Sequence, residues 1–233
     1  MNDGLDLKEL EGIGDPFANE AAAPARPMTA EALPAPVRRS PTRSRVHAAR
    51  WTALVAAVGL DALWTLTHEH RPDLGTAPAQ EIALGLLVPL AAAGLALTAV
   101  VQSGPRGLGL PATKLWPLLS TALVIFFLGT LAAAPSSGPD PLFWAHAERC
   151  MKATMGFTLV PLVLGLWAFR RSFAAAAVWR TAAIGMAAGA LAASVMSVAC
   201  SLTSAPHVML GHGLMILVAG LVGALVAPLV ARA

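Results

Sequence analysis

The chain has few charged residues and no tyrosine. Only 12% of its 233 residues are charged, whereas 56% are hydrophobic. Soluble domains carry about 25% charged residues, so one buried soluble core would have to hold an unusual amount of apolar surface. This shortage of charge excludes an ordinary soluble domain and favours an integral membrane protein.

The sequence also lacks the motifs of the common enzyme classes. It contains no Walker A loop, no GxGxxG opening a βαβ unit, no HExxH and no GxSxG. It has no CxxC pair, which argues against a quinone-linked disulfide oxidase, and no paired intramembrane histidines of a haem b protein. We therefore expect neither an enzyme nor a bound cofactor.

The first 47 residues are polar or proline-rich, so no cleavable signal peptide is expected. Residues 1–20 form an acidic head, with six acidic residues against Lys8 alone: Asp3, Asp6, Glu9, Glu11, Asp15 and Glu20. Residues 21–47 form a neck rich in proline and arginine, which predicts an extended linker. The interpretation is a mostly disordered N-terminal tail.

Six apolar runs follow the tail within residues 48–233. Each approaches the roughly 20 residues that a helix needs to cross the bilayer, and lipid admits only helices or closed barrels. The predicted fold class is therefore all-α, a polytopic membrane bundle of about six helices. The predicted spans are 48–67, 82–101, 115–134, 151–169, 180–201 and 209–231.

The distribution of basic residues predicts the orientation. If the tail is cytoplasmic, all but three of the 16 lysines and arginines lie inside; the exceptions are Arg71, Arg149 and Lys152. Basic residues concentrate in cytoplasmic loops, so both termini are predicted to be cytoplasmic. Because the basic residues sit in the tail and in short loops, no direct nucleic-acid binding is expected.

The two cysteines are predicted to lie at the same depth. Cys150 precedes Arg170 by 20 residues and Cys200 follows Arg180 by 20, and these arginines mark the predicted inner face. A helix rises about 30 Å over that length, so both thiols reach the outer face. Three interpretations stay open: a disulfide between two helix ends, a redox- or metal-responsive thiol pair, or small residues that only pack.

Three histidines lie near these cysteines in the sequence. His146 is four residues before Cys150, whereas His207 and His212 follow Cys200. Histidine and cysteine are ligands of soft or borderline metals, so these histidines are candidate metal ligands. The alternative is that they are solvated at the membrane interface.

Asp61 is the only acid inside a predicted span. An ionisable group within the membrane is costly and marks a candidate functional site. One interpretation is an ion-coupled transporter or carrier that uses Asp61; another is a structural acid bonded to a neighbouring hydroxyl. A third hypothesis for the whole chain is a membrane subunit that only anchors a partner.

The acidic head contains a short amphipathic pattern. Asp6 and Glu9 have capping-box spacing, and apolar residues follow at helical spacing: Leu7, Leu10, Ile13 and Phe17. Such a segment is marginal alone but can fold into a groove on a basic partner. The head is therefore a candidate partner-binding segment, the alternative being a disordered tail without a role.

The arrangement resembles the NrsF family of membrane anti-sigma factors, most strongly over residues 148–233. The matching segments are ERCMKATMGFTLVPLVLGLWAFRR, the Gly/Ala-rich fifth span that ends at Cys200, and the closing GHGLMILVAGLVGALVAP. Two features depart from the family pattern: the longer tail, and the segment SLTSAPHVML after Cys200, which lacks the acidic and aromatic residues expected there.

The resemblance implies a multi-pass regulator in the bacterial inner membrane. It implies that the tail holds an extracytoplasmic-function sigma factor inactive, and that Cys150 and Cys200 are the sensing residues. The implied cue is envelope redox or metal stress, with light or singlet oxygen as a further candidate. The implied partners are thus a sigma factor and the lipid bilayer.

Overall fold

A computed structural model describes residues 71–73, 75–101, 110–133, 140–169 and 176–232, together with positions 56, 59, 60, 63, 64 and 67. Within these residues the regular structure is helical throughout and contains no strand. The predicted all-α fold class is confirmed.

Four long helices come first in the described part of the chain. They are α1 (Ala79–Val101), α2 (Ala112–Ala133), α3 (Phe143–Phe169) and α4 (Ala177–Ala199). A fifth rod is composite: a short helix α5 (Ala205–His207), a π-helical segment Val208–Gly213, and helix α6 (Leu214–Arg232). These five rods are each long and apolar enough to cross a membrane.

The helices overlap five of the six predicted spans. The largest difference is at α3, which begins at Phe143, eight residues before the predicted span that starts at 151. The extra turns carry Glu148, Arg149 and other polar residues, which the hydropathy pattern assigns to a loop. Most of the first predicted span, 48–67, lies outside the described residues, although its described positions are helical.

Helix α4 is the centre of the bundle. Of its most apolar 18-residue window, 83% is buried, against 28–39% in the other four rods. Its buried positions are largely alanine and glycine, and small side chains let neighbouring backbones approach closely. Alanines of α1, among them Ala92 and Ala96, are buried with it in one core.

Glycines set the distance between α4 and α6. A methyl group added at Gly189 would lie 2.7 Å from the Ile216 Cα atom and from the Met215 carbonyl oxygen. One added at Gly185 would overlap the backbone of Ala219, and one at Gly223 would overlap that of Thr181. The two helices therefore touch backbone to backbone, as expected of small-residue packing in membranes.

The outer faces of the helices are apolar. On α6 the exposed side chains include Leu221, Leu225 and Leu229, at 61%, 70% and 70% exposure. Their four-residue spacing makes a continuous leucine stripe along one helix face. A stripe of this kind is stable against lipid and is unfavourable against water, which fits a bundle surrounded by hydrocarbon.

Candidate functional site

Cys150 and Cys200 meet at one end of the bundle, which we call the thiol end. Cys150 lies in the third turn of α3, and Cys200 directly follows the last residue of α4. The Cys200 backbone N–H closes α4 by donating to the Met196 carbonyl at 2.8 Å. The two sulfur atoms lie 3.5 Å apart, and both cysteines are free thiols.

Thr154 holds α3 against the π-helical segment. Its hydroxyl lies 3.1 Å from the Gly211 carbonyl and 2.7 Å from the Cys150 carbonyl one turn earlier, and its side chain is fully buried. Gly211 permits this approach, because a methyl group there would lie 3.2 Å from the Cys150 Cβ atom. The register between α3 and the segment thus places Cys150 at the contact.

The π-helical segment brings His207 and His212 together. They are five residues apart, which is the hydrogen-bonding repeat of a π-helix, whereas the same spacing in an α-helix would separate them by about 140°. Their ring centroids lie 5.5 Å apart with the planes at 85°. Both side chains are buried, at 1% exposure.

Four of the predicted site residues therefore form one cluster. One ligand-type atom from each of Cys150, Cys200, His207 and His212 lies within 4.8 Å of every other. His207 Nε2 is 3.5 Å from the Cys200 sulfur. Two thiols in such a setting can be oxidised to a disulfide or can bind a cation as thiolates.

His146 belongs to a different contact. Its Nδ1 atom lies 2.8 Å from the Asp140 carboxylate, and Asp140 also accepts a hydrogen bond from the Leu142 backbone N–H at 2.9 Å. The contact with His146, followed by that with Leu142, lowers the pKa of Asp140. This pair fixes the start of α3, and His146 is not among the four clustered residues.

An ion-paired arginine, which the sequence analysis assigned no role, lies beside the cluster. Arg71 is 3% exposed; it donates to the Asp73 carboxylate at 2.6 and 2.7 Å and to Glu81 at 3.1 Å. The carboxylates raise the pKa of Arg71, and the guanidinium lowers that of Asp73. The signal in the sequence is that Arg71 is one of only three basic residues on the predicted outer side.

A partly enclosed cavity of about 40 Å³ connects this arginine to the cluster. Its lining includes Arg71, Glu81, Ser197, Cys200 and His212. Its volume exceeds the 10–15 Å³ that one water molecule requires. A small polar species therefore has room next to the Cys200 thiol.

Other predicted site residues lie outside the described residues. These are Asp61 in the first predicted span and six residues of the acidic head: Asp6, Leu7, Glu9, Leu10, Ile13 and Phe17. Their roles remain predictions from the sequence.

Comparison with known protein families identifies the family of this chain. The family model described as NrsF, negative regulator of sigma F, matches residues 32–232. The chain belongs to the NrsF family. The family's description is that of a regulator with a sigma factor as its target, and five membrane-length helices fit a regulator held in a bilayer.

The match covers residues 32–47 of the neck, every described helix and all four clustered residues of the thiol end. The acidic head, residues 1–20, lies before it. No curated protein and no solved structure matches the chain.

Proposed function

We propose that this NrsF-family chain is an inner-membrane anti-sigma factor that senses an envelope cue at the thiol end. Its tail holds an extracytoplasmic-function sigma factor, and a chemical change at Cys150 and Cys200 releases it. The observation that carries the proposal is the 3.5 Å approach of two thiols from different helices in a chain of this family.

The thiol pair is placed to act on the bundle. Cys150 belongs to α3 and Cys200 ends the central helix α4, so a bond between the sulfurs would tie these two helices together. A disulfide requires a sulfur separation of about 2.05 Å, so the present 3.5 Å would have to shorten. Because Cys150 also packs on Gly211, that movement would disturb the contact between α3 and the π-helical segment.

Release needs a large difference in affinity. Converting a sigma factor from almost wholly bound to almost wholly free takes about 5.5 kcal/mol of differential binding between two states of the regulator. Packed helices that have two stable arrangements can supply such a difference in binding affinity. The cue is proposed to be oxidation, a metal ion or singlet oxygen, all of which react with or bind thiolates.

The sigma-binding segment is proposed to be the acidic head. Its Leu7 and Leu10 lie on one face of a short amphipathic segment beside the acidic Asp6 and Glu9. A sigma factor binds DNA phosphates through basic surfaces, which the acidic residues complement. Both termini are proposed to be cytoplasmic, where the sigma factor is available.

The test is co-purification of the full-length chain, in detergent, with each extracytoplasmic-function sigma factor of the same genome. We expect one of them to be retained by the native chain and lost when Leu7 and Leu10 are both replaced by aspartate. Leu33→Asp is the control, because it replaces one leucine with aspartate within the neck. Retention by the Leu7, Leu10 variant together with loss on Leu33→Asp would place the contact in the family-matched neck and contradict the role of the head.

A further inference from the structure

The four clustered side chains of the thiol end have the donor set of a tetrahedral metal site. Two sulfurs and two imidazoles, Cys150, Cys200, His207 and His212, lie with ligand atoms within 4.8 Å of one another. They come from α3, from the end of α4 and from the two ends of the π turn. A Cys₂His₂ set is a common ligand combination of structural zinc sites.

The distances fit a cation better than they fit a disulfide. With Zn–S bonds of about 2.3 Å and Zn–N bonds of about 2.0–2.1 Å, tetrahedral angles place two sulfurs about 3.8 Å apart and a sulfur and a nitrogen about 3.5 Å apart. The Cys150–Cys200 sulfur separation is 3.5 Å, and the Cys200 sulfur lies 3.5 Å from His207 Nε2. Ligand atoms that now lie up to 4.8 Å apart would have to close to these distances.

The buried histidines supply an independent observation. Neither ring nitrogen of His212 has a hydrogen-bond partner within the described residues, and neither does His207 Nδ1. Both side chains are 99% buried, and buried polar groups are nearly always satisfied. A cation between the rings and the thiolates would give His212 the partner that the surrounding side chains do not.

The surroundings favour a borderline-soft cation over a hard one. No carboxylate of the described residues belongs to the cluster, and hard cations such as Mg²⁺ and Ca²⁺ prefer oxygen ligands. Thiolate and imidazole suit Zn²⁺ and softer ions. A cavity lined by Glu81, Cys200 and His212 adjoins these ligands.

We infer that Cys150, Cys200, His207 and His212 bind one Zn²⁺-like cation in a closed four-coordinate site. The inference stands on geometry and burial and does not rest on sigma binding. Binding would displace the two thiol protons, and the ion would hold both sulfurs as thiolates. The bound ion and a Cys150–Cys200 disulfide exclude each other, because both use the same sulfur atoms.

The experiment uses the full-length chain in detergent, reduced and stripped of metal with EDTA. It is titrated with Co²⁺, which reports tetrahedral sulfur ligation by strong visible absorption and a sulfur-to-metal band in the near ultraviolet. We expect one Co²⁺ per chain with both features, and their disappearance when Zn²⁺ is added. A pale six-coordinate spectrum, or no saturable binding, would overturn the inference.

Single variants test each ligand. Cys150→Ser, Cys200→Ser, His207→Asn and His212→Asn should each weaken binding more than about 100-fold, the upper end of the loss for a supporting outer-shell group. His146→Asn is the control, since His146 lies outside the cluster and pairs with Asp140. If only the two cysteine variants lose metal binding, the site is a simple dithiol and the four-ligand inference is overturned. If all four variants bind metal as the native chain does, the metal is an adventitious ion only.

A measurement on the native chain tests the metal site even if the variants fail to fold. Zn²⁺ should slow maleimide labelling of Cys150 and Cys200 at least about tenfold, and EDTA should restore the rate. Labelling that is indifferent to Zn²⁺ would contradict the site. Such a result would not contradict oxidative sensing by the same thiols, so the metal site and the anti-sigma function are tested separately.

Discussion

The side chains of the thiol end differ in whether their polar atoms have hydrogen-bond partners. Arg71 is ion-paired with Asp73 and Glu81, and Thr154 bridges two elements. The cluster histidines, by contrast, leave ring nitrogens without partners within the described residues. Satisfied groups stabilise the fold, whereas unsatisfied buried groups require another explanation, and this supports the proposal that the cysteine–histidine cluster binds a ligand.

Removal of the Thr154 hydroxyl should loosen the thiol end. Thr154→Val keeps the shape but leaves the buried Gly211 carbonyl without its bond, at a cost of about 1–3 kcal/mol. We expect slower formation of the Cys150–Cys200 disulfide under a mild oxidant, followed by mass spectrometry. Thr158→Val is the control, because within the described residues the Thr158 hydroxyl bonds to the Thr154 carbonyl of its own helix α3. Equal rates in the two variants would argue against the bridging role.

The Asp140–His146 contact should be visible in a pH titration. The pKa of Asp140 is lowered by His146 first and by the Leu142 N–H second. A lowered carboxyl pKa contributes stability above about pH 3.9, the ordinary aspartate value, and this contribution is lost as the pH falls through the lowered value. In His146→Ala the carboxyl ¹³C titration of Asp140 should move up towards the ordinary value. If the titration is unchanged, the Leu142 N–H and not His146 lowers the pKa of Asp140.

At the scale of the elements, hydropathy predicts most of the bundle. Apolar runs of about 20 residues mark a membrane helix, and the five described rods overlap the corresponding predicted spans. The start of α3 is missed because Glu148 and Arg149 interrupt the apolar pattern, although Asp140 and His146 stabilise a helix there. Local polar pairing therefore extends a helix beyond what hydropathy marks.

The π-helical segment is the element that the sequence did not predict. Val208–Gly213 has the composition of an ordinary apolar helix with two glycines, and nothing in its hydropathy distinguishes a π turn from an α turn. The sequence names both histidines as candidate metal ligands near the cysteines, but an α-helical interpretation separates His207 from His212, so their meeting in one cluster is not predicted. The common depth of the two cysteines, by contrast, follows from helix length alone.

Two glycine-to-alanine changes should have opposite effects. At Gly189 the added methyl group meets the backbone of α6, so Gly189→Ala should destabilise the bundle by about 1–3 kcal/mol. At Gly94, in the middle of α1, it meets nothing within 4 Å, so Gly94→Ala should be neutral or stabilise the helix by up to about 1 kcal/mol. Thermal unfolding in detergent compares the two. A higher Tm for Gly189→Ala would contradict the close packing of α4 on α6.

At the scale of the molecule, the exposed surface, the core and one end of the bundle differ in their chemistry. The leucine stripe of α6 is exposed, the small residues of α4 face the core, and the polar cluster occupies one end of the bundle. Only this end places thiols, imidazoles and a water-sized cavity together among the described residues. Membership of the NrsF family gives the arrangement its regulatory context.

The central claim is that the state of Cys150 and Cys200 controls sigma-factor binding. The most direct measurement is the amount of sigma factor retained by the full-length chain before and after mild oxidation, beside the Cys150→Ser, Cys200→Ser double variant. We expect oxidation to lower the affinity of the native chain by about 10⁴-fold, which is about 5.5 kcal/mol, and to leave the variant unchanged. Equal retention before and after oxidation, or equal release by the double variant, would contradict it.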